Sequence, residues 1–260
     1  LIIPAHYINV YDFYEGLAAV QTEKQKWGFI DQTGRFVVEP IYDECNYFFS
    51  NGYACVKANM MKDDSGKWTG QYGLVDKNGK LVIPLICDSI DLSGPHQGLI
   101  AFSTGGEPYE GIFIRSKWGF ADLDGKVVIK PIFSYASNFD EYGLALVKTG
   151  GYFDEDNNYL EEKWGVINQK GEFVIEPQFQ GISIVSGNII AVRVEGKYGF
   201  VNRQGKMFVA PKFSTVSSLR EGLIAVKVGG VVKDRSLYGG KWGFVNPKGE
   251  RWLSTLNMTM

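Results

Sequence analysis

Cysteine and histidine are scarce in this chain, three and two among 260 residues. Cys45, Cys55 and Cys87 cannot all pair within one chain and have no metal-ligand spacing, so neither a disulfide framework nor a structural metal is expected. An excess of basic charge is missing as well. Lys and Arg number 27 against 29 Asp and Glu, a formal net charge of −2, which leaves no electrostatic footprint for nucleic acid. No apolar run approaches the roughly 18 residues of a membrane span; the longest, such as residues 187–194, are strand-sized. A soluble protein is expected, and its compartment is not legible. No segment carries a helical period, and no Gly-x-Ser-x-Gly, paired-cysteine motif or phosphate loop occurs. His6 and His96 stand in unrelated contexts without a nucleophile motif.

What the chain does have is glycine, aromatics and repetition. Its 32 glycines lack the every-third spacing of collagen, and 45% hydrophobic with 14% aromatic residues is too apolar for a disordered chain. An aromatic-glycine pair recurs six times, at Trp27-Gly28, Tyr72-Gly73, Trp118-Gly119, Trp164-Gly165, Tyr198-Gly199 and Trp242-Gly243. Four residues after each aromatic stands Asp or Asn (Asp31, Asp76, Asp122, Asn168, Asn202, Asn246), and three further on stands Gly (Gly34, Gly79, Gly125, Gly171, Gly205, Gly249). A proline closes five of the six units, at Pro40, Pro84, Pro131, Pro177 and Pro211. Each unit then ends in a strand of Gly-Leu-Ala-Ala-Val type, beginning at Gly16, Gly52, Gly98, Gly143, Gly187 and Gly222.

Each repeated position has a physical reason. An Asx side chain accepts a backbone N–H at the first position of a tight turn, and glycine supplies the positive φ often required at the fourth. The aromatic and β-branched residues on either side of Asp31-Gln32-Thr33-Gly34 read as two strands joined by that turn. Proline, with no N–H for a ladder, is expected to end the second strand. Between the proline and the next Gly-Leu-Ala strand there is room for one more short strand, so each unit predicts four short strands. The class is all-β.

Pair, Asx, glycine, proline and Gly-Leu-Ala strand together closely resemble the WG-repeat family, bacterial repeat proteins named for the Trp-Gly pair within a Lys-Trp-Gly-Phe-Ile-Asp…Gly core. The resemblance covers essentially the whole chain, with Tyr72 and Tyr198 in place of two tryptophans. It implies a repeat scaffold used for interaction and supplies no reaction.

Units of four short strands stack either radially, as a propeller, or linearly, as a solenoid. The last unit stops after Trp252-Leu253 without its proline or its Gly-Leu-Ala strand. The N-terminus opens with Leu1-Ile2-Ile3-Pro4, which resembles Leu81-Val82-Ile83-Pro84, and continues through residues 16–20. Residues 1–260 are therefore read as one domain of six units, starting near residues 26, 71, 117, 163, 197 and 241, the last completed by residues 1–20. Pairing of the N- and C-terminal segments would close a six-bladed β-propeller and remove two open sheet edges. Both termini offer a second strand, residues 1–3 and 252–256, and an open β-solenoid of stacked repeats is the alternative.

A residue present in every unit most simply performs the same packing task in each, so the aromatic-glycine pairs are assigned to structure. Function is expected where units differ. The connection from the Gly-Leu-Ala strand to the next aromatic-glycine strand is short at residues 193–196 and long at 57–71, 103–117, 148–163 and 227–241. Insertions at one equivalent position emerge on one face of a repeat fold. These four carry Trp68, Tyr109, Phe113, Arg115, Tyr152, Phe153, Tyr159, Arg235 and Tyr238, aromatics and arginines of the kind that dominate interaction hot spots. The plainer alternative is that the long segments pair into hairpins and pack these aromatics together. Asp154-Glu155-Asp156-Asn157-Asn158 spaces oxygens as a calcium loop does, but Tyr159 and Gly165 occupy the positions where glycine and glutamate are needed, so it reads as a solvated turn. No cofactor and no metal are expected. The expected function is a non-catalytic, monomeric module binding a protein or peptide through its long loops. A carbohydrate-binding propeller and an enzyme with carboxylate chemistry in the channel are the alternatives.

Overall fold

The computed structural model describes residues 3–46, 51–153, 159–233 and 236–247. Among them every regular element is a strand. The chain forms two compact units, one of residues 1–145 with 169–171 and the other of residues 146–168 with 172–260.

The first unit contains three antiparallel four-stranded sheets. Their strands, in spatial and chain order, are Asn9–Val10, Leu17–Gln21, Trp27–Asp31 and Phe36–Tyr42 in the first sheet; Glu44–Cys45, Tyr53–Lys62, Trp68–Asp76 and Leu81–Cys87 in the second; and Ser89–Ile90, Leu99–Thr104, Lys117–Asp122 and Val127–Phe133 in the third. The fourth sheet, through which the division into units runs, comprises Tyr135–Ala136, Leu144–Thr149, Lys163–Asn168 and Phe173–Phe179. In the second unit the fifth sheet comprises Gly181–Ser186, Ile189–Val194, Lys197–Val201 and Met207–Phe213. The sixth shows Thr215–Arg220, Leu223–Val228 and Lys241–Val245 among the described residues. The short strand anticipated between proline and Gly-Leu-Ala is present in each sheet. Sheet and sequence unit are nonetheless offset: the first two strands of a sheet come from the end of one unit, and its last two from the start of the next.

Local chemistry shapes each sheet. The Asx turns form as the spacing predicts: Asp31 Oδ1 accepts the backbone N–H groups of Thr33 at 2.9 Å and Arg35 at 3.1 Å. Gly34 closes the turn at φ +85°. The Gly-Leu-Ala glycine has a separate task. Glu15 and Gly16 both take positive φ, 49° and 90°, the pair of values that a two-residue type I′ hairpin requires.

The proline does not end its strand. Phe36–Tyr42 runs through Pro40, because the ladder opens into a bulge there: Trp27 pairs with Tyr42 and Phe29 with Val38, leaving residues 39–41 opposite Gly28 alone. A residue without an N–H is tolerated at a bulge, where no ladder bond is made. The bulge also explains the invariant glycine of the aromatic pair. A Cβ on Gly28 would lie 2.5 Å from the Val38 carbonyl oxygen and 2.8 Å from the Pro40 nitrogen; on Gly119, 2.5 Å and 2.7 Å from the corresponding atoms of Ile129 and Pro131. In the second sheet Pro84 sits one position early, where Glu39 stands in the first, and Leu85 fills the Pro40 site.

One packing rule joins consecutive sheets. Ala19, Phe29, Val38 and Tyr42 on the trailing face of the first sheet form a buried cluster with Ala54, Val56 and Val75 on the leading face of the second. The equivalent residues Cys55, Leu74, Ile83 and Cys87 meet Ile100, Phe102 and Ala121 of the third. In the second unit Ala191, Phe200, Val209 and Phe213 meet Ile224, Val226 and Val245. The turn glycine of each following sheet also seats on the proline strand of the one before: a Cβ on Gly79 would meet the Val37 carbonyl, one on Gly125 the Val82 carbonyl, and one on Gly205 the Ile175 side chain. These clusters take strand faces out of water, the dominant favourable term in folding.

The aromatic of the pair is half-buried on the first five sheets and exposed at Trp242 on the sixth, and among the described residues four of the six lie under a cation from the neighbouring strand. Lys57 lies over Tyr72, Lys148 over Trp164, Arg193 over Tyr198 and Lys227 over Trp242, at 5.1 to 5.8 Å from the ring centroids. Each cation stands directly opposite its aromatic in the ladder where the register is given, as for Lys57 and Tyr72. In the first sheet, where Gln21 holds that position, Tyr11 stacks on Trp27 instead at 5.3 Å.

Candidate binding hairpins

All four long connections are β-hairpins. Tyr53–Lys62 and Trp68–Asp76 simply continue past the body of the second sheet. The other three connections form separate two-stranded ribbons: Glu107–Tyr109 with Ile112–Ile114, Tyr152–Phe153 with Tyr159–Leu160, and Val231–Lys233 with Ser236–Tyr238. The expected alternative of paired strands is thus what the backbone does.

Two hairpins of the first unit are fastened to each other by carboxylates. Asp63 Oδ1 accepts from the backbone N–H groups of Ser65 and Lys67 and from the Ser65 hydroxyl, closing its own turn. Its other oxygen accepts the Gly111 N–H of the neighbouring hairpin at 2.6 Å. The Ser65 hydroxyl and these backbone N–H groups hold the Asp63 carboxyl below the ordinary carboxylate range. Lys67 and Glu110 lie 3.8 Å apart across the same junction. At the base, Asp88 Oδ2 accepts the Gly106 N–H at 2.7 Å and the Ser116 hydroxyl at 2.8 Å. The tips are therefore held in place by hydrogen bonds to charged groups, the stronger class.

On this frame Trp68 and Tyr109 are 57% and 55% exposed, and Lys62 lies 5.3 Å from the Trp68 ring centroid. Phe113 is half-buried beside Thr69 and Asp88. Arg115 is exposed and pairs with Glu107 at 3.2 Å. In the second unit Tyr238 is 60% exposed opposite Val231. Tyr152, Phe153 and Tyr159 lie on a hairpin whose backbone is described and whose side chains are not. Arg235 and the segment of residues 154–158 lie outside the described residues. The structure thus brings Trp68, Tyr109, Phe113 and Arg115 onto two adjoining hairpins.

Asp91, Ser93 and His96 are the residue types of a hydrolytic triad, but not its arrangement. The Ser93 hydroxyl donates to Asp91 at 2.6 Å and lies 3.3 Å from His96 Nε2, and the Asn138 amide donates to the same oxygen. A nucleophile hands its proton to the histidine. Here it goes to the aspartate, in the geometry that Ser65 and Thr33 adopt with Asp63 and Asp31. Among the described residues no group of three His, Cys, Asp or Glu side chains could hold a metal ion. Residues that sequence reading missed are Lys57, Thr69, Asp88 and Ser89, which lie on strands or sheet crossovers and converge below the hairpins. The carboxylate of Asp88 gave little signal, because the same position holds Asp43 after the first sheet and Ser134, Gln180 and Ser214 after the third, fourth and fifth.

A sequence model described as a WG containing repeat matches residues 1–25, 27–68, 72–107, 118–153, 164–198 and 198–231. No curated protein matches the chain. Among solved structures it is similar to a eukaryotic initiation factor (11% identity, 94% of this chain and 75% of that one, TM-score 0.42). It is also similar to the β-propeller domain of the Trilobed protease from Pyrococcus furiosus (9% identity, 97% and 84%, TM-score 0.37) and to the WD40 β-propeller domain of Doa1 (10%, 84% and 74%, TM-score 0.31).

Proposed function

Because this chain belongs to the WG-repeat family, we propose that it is a non-catalytic scaffold that binds a protein or peptide through the hairpins leaving its sheets. The observation that carries the reading is the exposure of Trp68, Tyr109 and Tyr238 on hairpins that depart from the repeat. Large aromatics with two side-chain torsions are inexpensive to immobilise, and on a fixed backbone they lose little more on binding. Lys62 over Trp68 favours a peptide bearing carboxylates over a sugar, which needs a bare aromatic face. Alanine at Trp68, Tyr109 and Tyr238 together is expected to abolish capture of the partner that the wild-type chain retains, with an unchanged melting temperature. Equal recovery of that partner by both chains would reject the hairpins as the binding surface.

The scaffold in this reading is a six-bladed propeller acting as one domain. Two unmatched faces support it. By the packing rule the leading face of the first sheet, Ala18, Val20 and Ile30, receives a preceding sheet, and Ile3 and Tyr7 pack there. On the sixth sheet Phe244 is 58% exposed, whereas its equivalents Phe29, Phe120 and Phe200 are fully buried. Segments that bear on the pairing of the termini, residues 1–2 and 248–260, lie outside the described residues.

A further inference from the structure

The junction of the second and third sheets gathers polar groups that the rest of the core excludes. Among the described residues four polar side chains are buried: Asp63, Thr69, Asp88 and Ser103. Thr69 and Asp88 line one cavity of about 190 Å³, together with Lys57, Tyr72, Ser89 and Phe113. Asp63 holds the hairpin that walls it, through Gly111, and Ser103 pairs with Ser89 in the ladder. A cluster of buried polar groups in a protein interior costs free energy unless each group finds a partner.

Among the described residues none of this cavity's polar atoms is both sealed from solvent and without a partner. Asp88 Oδ2 is committed to Gly106 and Ser116, while the hydrogen bonds among the described residues leave Oδ1 and the hydroxyls of Thr69 and Ser89 unused. Lys57, only 12% exposed, meets Glu44 at 3.3 Å on its solvent side and lies over the Tyr72 ring. Its stem runs beside Gly70, where the strand bulges between Ala58 and Met61 and a Cβ would come within 3.4 Å of Lys57 Cε. Bulges are a common means of re-aiming a side chain at a site.

The pairing of charges is particular to this junction. The position of Lys57 is held in the first, third, fourth and fifth sheets by Gln21, Ser103, Lys148 and Arg193, and that of Asp88 by Asp43, Ser134, Gln180 and Ser214. At these two positions only the second sheet of the five carries a cation and a carboxylate; in the first, Asp43 takes its cation from Lys26 instead. An anionic ligand would meet the Asp88 charge, and a cationic one the Lys57 charge. A ligand carrying both signs satisfies both. The volume is below the roughly 300 Å³ at which pockets for drug-sized ligands begin, a size suited to a single small metabolite.

We propose that this cavity binds a free α-amino acid, its carboxylate toward Lys57 and the Thr69 hydroxyl, its ammonium toward Asp88, and its side chain against Tyr72 and Phe113. The site is separate from the exposed hairpin tips and stands or falls independently of partner binding there.

Calorimetric titration of the full chain with each genetically encoded amino acid, followed by the N-acetyl and carboxamide derivatives of any binder, tests it. At least one amino acid is expected to bind saturably with a dissociation constant between about 1 μM and about 1 mM, and each derivative at least about tenfold more weakly. Lys57→Met, Thr69→Val and Asp88→Asn are each expected to weaken binding by about tenfold or more. Asp88 also fastens a hairpin, so Lys57→Met and the two derivatives decide the matter if Asp88→Asn loosens the fold. Absence of any saturable binding, meaning a cavity that holds water only, overturns the proposal. So does a binder whose derivatives or Lys57→Met variant bind as well as the parent pair.

Discussion

Gly28 illustrates how a single missing side chain sets the geometry of a sheet. The backbone of residues 38–40 crosses where its Cβ would stand, so Gly28→Ala must push one strand off the other. A clash against backbone cannot be relieved by a rotamer change, and the expected cost is about 3 kcal/mol. For a chain of this size that corresponds to a fall of roughly 6–10 °C in melting temperature, measurable by calorimetry. Gly181, where a Cβ would make ordinary contact with Arg193, provides the comparison: Gly181→Ala is expected to change stability by less than about 0.5 kcal/mol. Equal effects at the two positions would remove the close-approach explanation. The cysteines give a second prediction at this scale. Burial, with help from the charges of Glu44, Asp91 and Asp88 respectively, pushes Cys45, Cys55 and Cys87 each up to about 12. Since the thiolate is the reactive form, a disulfide reagent at pH 8 is expected to modify the folded chain about a thousandfold more slowly than the denatured one. Fast labelling of the native protein would show that these thiols are not buried in solution.

At the scale of elements, the hairpin junction depends on one ionised group. Asp63 is held below its unfolded value by the Ser65 hydroxyl and by backbone N–H groups that include Gly111. A depressed carboxyl means that the unfolded chain binds more protons, so the junction is stabilised above the unfolded value, about pH 4, and the stabilisation fades as pH falls through the lower folded value. Exchange of the Gly111 amide, followed by NMR, is expected to stay slow from pH 7 to about pH 4 after correction for intrinsic rates and to accelerate below it. In Asp63→Asn the acid dependence is expected to vanish. Elements also show where sequence was informative. The Asx turns, the aromatic strands and the Gly-Leu-Ala strands were legible because each is signalled within a few residues, as Asp31 to Gly34 shows. The passage of Phe36–Tyr42 through Pro40 was not legible, since it depends on a bulge opposite a glycine of another strand. The offset of sheet against repeat was hidden for the same reason: pairing across a turn is a non-local choice. Of the candidate site, the exposure of the aromatics Trp68 and Tyr109 was legible from the length of their connections. Thr69 and Asp88 were not, because burial of a polar residue is visible only once two sheets meet.

At the scale of the whole molecule, the proposed propeller requires a fourth strand beside the three that the sixth sheet shows among the described residues. In the first sheet Phe29 faces Val38 and Trp27 faces Tyr42. Ile3 meets Gly34 as Ile129 meets Gly171, which gives Ile3 the role of Val38 and Tyr7 that of Tyr42 in a sheet preceding the first. In the proposed propeller this N-terminal strand pairs with Lys241–Val245, with Ile3 opposite Phe244. Directly opposed residues of an antiparallel pair can place Cβ atoms within disulfide range. Ile3→Cys combined with Phe244→Cys is expected to form an intramolecular disulfide on mild oxidation, seen as a monomer whose digest links the two segments by mass spectrometry. The three native thiols should stay silent under the same conditions, because burial keeps them protonated. Disulfide-linked dimers through the same two positions would instead describe copies stacked head to tail, with the first sheet of one chain completing the sixth of another. Failure to form either product, with both cysteines shown to be reactive, would rule out this register and leave the open stack as the surviving architecture.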